Sequence, residues 1–189
     1  MSGWLKIVGL GPGSEAMITP EVTAALLEAT DVVGYVPYVN RVAPRAGLIR
    51  HGSDNREEIR RAEHALQLAL EGHRVVVVSS GDPGVFAMAA AVFEALETGD
   101  AQWRKLDIQV LPGISAMLAA SASVGAPLGH DFCCINLSDN LKPWALIENA
   151  CAWPPRPTSP WRFTTRSKAR PEGFARTLEV LRKPAARID

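Results

Sequence analysis

Residues 74–79 read Arg-Val-Val-Val-Val-Ser, the longest unbroken β-branched run in the chain. Successive side chains of a strand point to opposite faces, so four valines in a row demand apolar cover on both. Parallel sheets are covered in this way, with helices as the crossovers. This run therefore predicts the middle of a parallel sheet, and the rest of the chain must supply neighbouring strands and the helices that cover them.

The surrounding sequence does so in alternation. Residues 5–10 (Leu-Lys-Ile-Val-Gly-Leu) predict a first strand, and 31–35 (Asp-Val-Val-Gly-Tyr) a second, with Pro37 keeping the residues after it irregular. Between them Thr19 caps a helix that has Pro20 in its first turn and Val22, Leu26 and Ala29 on one face. Ser53, Asp54 and Asn55 predict the cap of a long helix over 56–71, with Ile59, Ala62, Leu66 and Leu70 at helical spacing and Gly72 ending it. A helix over 86–96, a strand over 107–111, a small-residue helix over 115–123 and a strand over 131–137 complete the pattern. Strands alternating with helices predict an α/β fold, mainly parallel, with helices on both faces.

Composition narrows the class further. The 189 residues carry 20 Lys plus Arg against 20 Asp plus Glu, so no net charge draws the chain to nucleic acid or to a membrane surface. No run reaches the roughly 18 apolar residues of a spanning helix. Cys133, Cys134 and Cys151 lack metal-ligand spacing, and no metal is expected; the first two read as small buried hydrophobes in a reducing, cytoplasmic setting. His51, His64 and His73 have no partner spacing and read as surface residues.

Three turns on the predicted carboxyl edge of the sheet carry the chemistry, since ligands of open α/β sheets bind there. The first is Gly9-Leu10-Gly11-Pro12-Gly13-Ser14, between a strand and a helix. Pro12 has no N–H to offer a pyrophosphate, and Ser14 stands where a dinucleotide fingerprint has its third glycine. That argues against a nicotinamide-dependent oxidoreductase, although a plain tight turn also accounts for the motif. The second is Ser79-Ser80-Gly81-Asp82-Pro83-Gly84-Val85-Phe86, directly after the valine strand. Asp82 suits hydroxyl or ammonium donors, or else caps the helix after Pro83. The third is Leu111-Pro112-Gly113-Ile114-Ser115-Ala116, where Ser115 either caps its helix or offers a hydroxyl to a ligand.

In this order the three turns resemble the N-terminal signature of the tetrapyrrole (corrin/porphyrin) methylases. The resemblance implies the class III methyltransferase fold, with S-adenosylmethionine bound in a trough between two α/β domains. It assigns the cofactor to Gly11, Pro12, Ser80, Gly81, Asp82, Val85, Ser115 and Ala116, with Ser80 replacing the commoner glycine. Gly34-Tyr35 with Pro37-Tyr38, the stretch from Ser53 to Glu58, and residues 81–91 and 125–144 are similar to the branch that methylates C17 of precorrin-3B and contracts the ring to precorrin-4. That branch belongs to cobalamin biosynthesis, and its members are commonly homodimers. Methylation at another corrin or porphyrin carbon, or a non-catalytic tetrapyrrole-binding remnant, is the alternative. Ring contraction moves protons. The candidates for acid or base are His130, otherwise a turn histidine, and Asp54, otherwise a helix cap. Arg41, Arg45 and Arg56 are candidates for the substrate's carboxylates, against solvated arginines as the plain alternative.

The resemblance covers about residues 4–148 and returns over 166–182. Between them, residues 150–165 have neither helical nor strand periodicity and contain Pro154, Pro155, Pro157 and Pro160. Prolines deny donors to a sheet. A shifted reading frame over 149–165 accounts for this stretch: GC-rich codons read two bases late give a string ending in Tyr-Asn-Pro, as the family has there. The expected organisation is an N-terminal α/β domain over 1–140 carrying the cofactor turns. Residues 141–189 then make a linker with an incomplete, frame-disrupted second domain, unable to form a normal sheet, and Asp189 is read as an early end.

Overall fold

Val75 and Val77 pack on one face of a sheet and Val76 and Val78 on the other, and all four are fully buried. This is the arrangement their run demands. In the computed structural model the described residues are 3–129, 132–137 and 143–152, together with the backbone of 161–165. The chain divides into two compact units, residues 1–116 and 117–189. The division falls earlier in the chain than the expected boundary at 140.

In the first unit, strands β1 (Trp4–Gly9), β2 (Asp31–Tyr35), β3 (Ile49–Ser53), β4 (Arg74–Ser79) and β5 (Asp107–Leu111) form one sheet in the order β3-β2-β4-β1-β5. Every pairing is parallel. Helices α1 (Pro20–Glu28) and α2 (Val36–Val39) belong to one side, where Val22, Ala25 and Val39 meet Val8, Val32, Val76 and Val78. Helices α3 (Glu58–Leu70) and α4 (Met88–Thr98) belong to the other, where Ala62, Leu66, Ala69, Val92 and Ala95 meet Leu5, Ile7, Val75 and Val77. Alanines on both α3 and α4 let the two helices lie close over the same face. Thr19 caps α1 as expected, its hydroxyl accepting from Val22 N at 3.3 Å.

Several elements depart from the sequence reading. Strand β3 was not expected, because it is an exposed edge with Arg50, His51 and Gly52 in its middle. Since β3 takes Ser53, the foreseen Ser53-Asp54-Asn55 cap does not form; α3 starts at Glu58, after Arg56 in the left-handed region at φ 70°. Pro37 opens the short helix α2 rather than an irregular stretch, since its fixed φ suits a first turn. Phe86, at φ 53°, stands outside α4, which begins at Met88.

The second unit contains most of α5 (Ala116–Ser123), strand β6 (Phe132–Asn136), helix α6 (Trp144–Ala152) and strand β7 (Trp161–Thr165). β6 and β7 pair in parallel, Phe132 opposite Trp161 and Asn136 opposite Thr165. This corrects the reading of residues 150–165 as without a strand. Trp161, Phe163, Thr164 and Thr165 are strong β formers, and Pro160 precedes the strand without interrupting it. Ile135, Leu137, Ile147 and Cys151 form a buried cluster with Trp144 against it. Of the cysteines only Cys151 is buried; Cys133 is exposed and Cys134 half-buried, so the two are not the core residues anticipated.

Candidate functional site

The neighbours β4, β1 and β5 each end in one of the three turns, so the parallel sheet delivers all three to a single edge. They meet backbone to backbone. Gly11 and Gly81 form an antiparallel bridge, Gly81 N donating to Gly11 O at 2.9 Å and Gly11 N to Gly81 O at 3.2 Å. Both have positive φ, 65° and 66°, where a side chain is strained. The Gly81 carbonyl also lies between Gly9 and Gly113: a Cβ on either would stand 2.3 Å from its oxygen.

Asp82 joins the second turn to the third. Its Oδ1 accepts from Gly84 N at 2.8 Å, and its Oδ2 from Gly113 N at 2.9 Å. It does not cap α4, whose N-cap is Ala87 with no side-chain bond. Ser80 Oγ lies 3.5 Å from Gly11 O, and Ser115 is buried, with its Cα 3.6 Å from where a Cβ on Gly81 would be. Gly11, Pro12, Ser80, Gly81, Asp82, Val85, Ser115 and Ala116 thus all stand in the three joined turns. Val85, Phe86 and Ile114 are exposed apolar residues of the same turns.

Asp54 comes directly after the edge strand β3, separated from β4 by β2. Its Oδ1 accepts from Asn55 N at 2.7 Å, and its carbonyl accepts from Arg61 Nη2 at 2.6 Å. His130 lies outside the described residues. Arg41 donates to the carbonyls of Leu10, Gly11 and Gly13, and Arg45 to those of Leu26 and Ala29, so backbone oxygens engage both guanidinium groups.

Two features escaped the sequence reading. Arg61 is only 5% exposed and gathers Ser53 Oγ, the Asp54 carbonyl and Met88 Sδ. Burial lowers its pKa, while Glu58, Glu57 and Asp54 oppose that. The available signal was a cation four residues before Ala65 and eight before Ala69 on a buried face. At the start of β2, buried Asp31 accepts from His51 Nε2 at 2.8 Å, His73 Nδ1 at 2.7 Å and Thr30 Oγ1 at 2.8 Å. His64 Nε2 lies 3.2 Å from His51 Nδ1. These histidines are a network rather than separate surface residues. Among the described residues no cluster of three or more acids, histidines or cysteines is placed to hold a metal ion.

A sequence profile described as Tetrapyrrole (Corrin/Porphyrin) Methylases matches residues 5–184. The chain belongs to this family. Among tetrapyrrole methylases, it is 54% identical to a precorrin-3B C(17)-methyltransferase of Sinorhizobium sp over 147 residues, 78% of this chain and 58% of that one. It is 44% identical to a probable cobalt-factor III C(17)-methyltransferase of Salmonella typhimurium, covering 76% of this chain and 59% of the relative. The chain therefore spans less than two thirds of these relatives. The crystal structure of the methyltransferase CobJ superposes with a TM-score of 0.88 at 60% identity, covering 96% of this chain and 76% of that one. A uroporphyrin-III-C-methyltransferase from Thermus thermophilus gives a TM-score of 0.59 at 25% identity, covering 76% and 64%.

Proposed function

We propose that this tetrapyrrole methylase transfers a methyl group from S-adenosylmethionine to C17 of precorrin-3B, with ring contraction to precorrin-4, in cobalamin biosynthesis. The observation that supports the reaction most is the 54% identity to the Sinorhizobium relative of that name. The three turns support the cofactor class. The amides of Gly11, Gly81, Gly84 and Gly113 all donate within the turns, so they form no cradle for a pyrophosphate. Glycines, two serine hydroxyls and a carboxylate instead suit a cationic nucleoside without phosphates. Gly11, Pro12, Ser80, Gly81, Asp82, Val85, Ser115 and Ala116 would hold it.

S-adenosylmethionine supplies an already electrophilic methyl group when bound. The protein's part is then to fix geometry and exclude water. The interlocked turns present a rigid backbone surface, and Val85, Phe86 and Ile114 offer apolar cover. For the proton movements of ring contraction, Asp54 and His130 stay the candidates. We place the protein in the cytoplasm, binding no nucleic acid, and as a homodimer where the second domain is intact. Among the described residues no helix is long and apolar enough to cross a membrane.

Incubation with precorrin-3B and methyl-labelled cofactor tests the reaction. The expected product carries the label at C17 and a contracted ring. Label at another carbon would replace C17 by a different corrin or porphyrin position. Tetrapyrrole binding without transfer would make the chain a non-catalytic remnant.

A further inference from the structure

We propose that Arg41 is a positioning residue that locks the Leu10–Gly13 turn, and through it the Gly11–Gly81 bridge, into the shape that receives the cofactor. This rests on the cofactor reading above. Arg41 Nη1 donates to Gly11 O at 3.2 Å, while Nη2 donates to Leu10 O at 2.5 Å and to Gly13 O at 3.2 Å. Three carbonyls of one short turn converging on one guanidinium would repel one another without a cation among them. Charge-assisted bonds of this kind are also stronger than neutral ones. Gly11 O accepts from Gly81 N as well, so the turn gripped by Arg41 is the one that pairs with the Asp82 turn.

The anchor for Arg41 is itself fixed. Val39 and Val42 on either side are buried in the core, and Arg41 N donates to Tyr38 O at 3.1 Å, closing the end of α2. The side chain therefore reaches the turn from a point tied to the sheet. Arg45 makes a comparable contact elsewhere, bonding Leu26 O and Ala29 O at the end of α1, away from the three turns. It is the natural control, equal in chemistry but not in place.

The test compares Arg41→Met, Arg41→Lys and Arg45→Met with the unaltered full chain, using two measurements. Calorimetric titration with S-adenosylhomocysteine is expected to show affinity weakened about tenfold or more in Arg41→Met. Partial recovery is expected in Arg41→Lys, which keeps the charge but not the fork, and no change in Arg45→Met. Hydrogen exchange without ligand is expected to show the Gly11 and Gly81 amides losing protection in Arg41→Met and keeping it in Arg45→Met. Equal exchange at those amides in Arg41→Met and the unaltered chain would overturn the proposal. So would unchanged affinity, or equal losses in both methionine variants. If the unaltered chain itself fails to bind while the exchange result holds, the cofactor reading falls and the clamp stands.

Discussion

A methyl group on Gly113 would stand 2.3 Å from the Gly81 oxygen and 2.9 Å from Gly9 Cα, and neither is a side chain that can swing away. Gly113→Ala is expected to lower stability by about 1–3 kcal/mol and to weaken cofactor binding with it. Gly13→Ala, with nothing within 4 Å of the new carbon, should leave stability within about 0.5 kcal/mol. Thermal unfolding of the pair checks this. Asp82→Asn is more selective. Both carboxylate oxygens accept a backbone N–H, so either orientation of the amide sets its NH₂ against Gly84 N or Gly113 N. A loss of about 1–3 kcal/mol is expected in the denaturant midpoint, and an unchanged midpoint would mean the bridge between the turns does not hold in solution. The turns themselves were readable from their glycines and prolines. The dual use of Asp82 was not, because Gly113 lies 31 residues away and no local spacing announces the contact.

Among the elements, the amino ends of the strands carry a pH dependence. Burial acts to raise the Asp31 pKa, but bonds from His51, His73 and Thr30 outweigh it, and the net shift is downward from 3.8. A depressed carboxylate contributes stability that is present above the ordinary value and lost as pH falls through the folded one. His64 is also lowered from its ordinary 6.5, by burial first and then by His51. The unfolded chain therefore takes up that proton before the folded one, and stability falls as pH drops below 6.5 toward the folded value. Two acid limbs are expected in unfolding free energy against pH. His64→Gln should flatten the one beginning below 6.5, and Asp31→Asn the one below 3.8. In the core, Val77→Ala should cost about 2 kcal/mol in chemical unfolding. Strands β1, β2 and β4 were legible because their apolar residues run together under helices. Strand β3 was not, because an edge strand needs no such run, and its pairing with β2 is decided by the neighbour rather than by Arg50-His51-Gly52.

At the scale of the whole chain, sequence and structure agree on a parallel α/β unit whose three turns converge, and membership of the tetrapyrrole methylases rests on residues 5–184. Family signatures lie in turns and were therefore readable. The guanidinium clamp of Arg41 was not, since it acts on backbone oxygens 28 to 31 residues away and leaves no pattern of residue types. Proline content misled the reading of residues 150–165, where β7 pairs with β6 just beyond Pro160. The central claim is that the three interlocked turns receive a phosphate-free sulfonium nucleoside. Its most direct measurement is calorimetric titration of the folded full chain with S-adenosylmethionine, with a nicotinamide dinucleotide in a parallel run. One saturable site for the former and none for the latter is predicted. Saturable binding of the dinucleotide, with no heat from S-adenosylmethionine, would contradict the account.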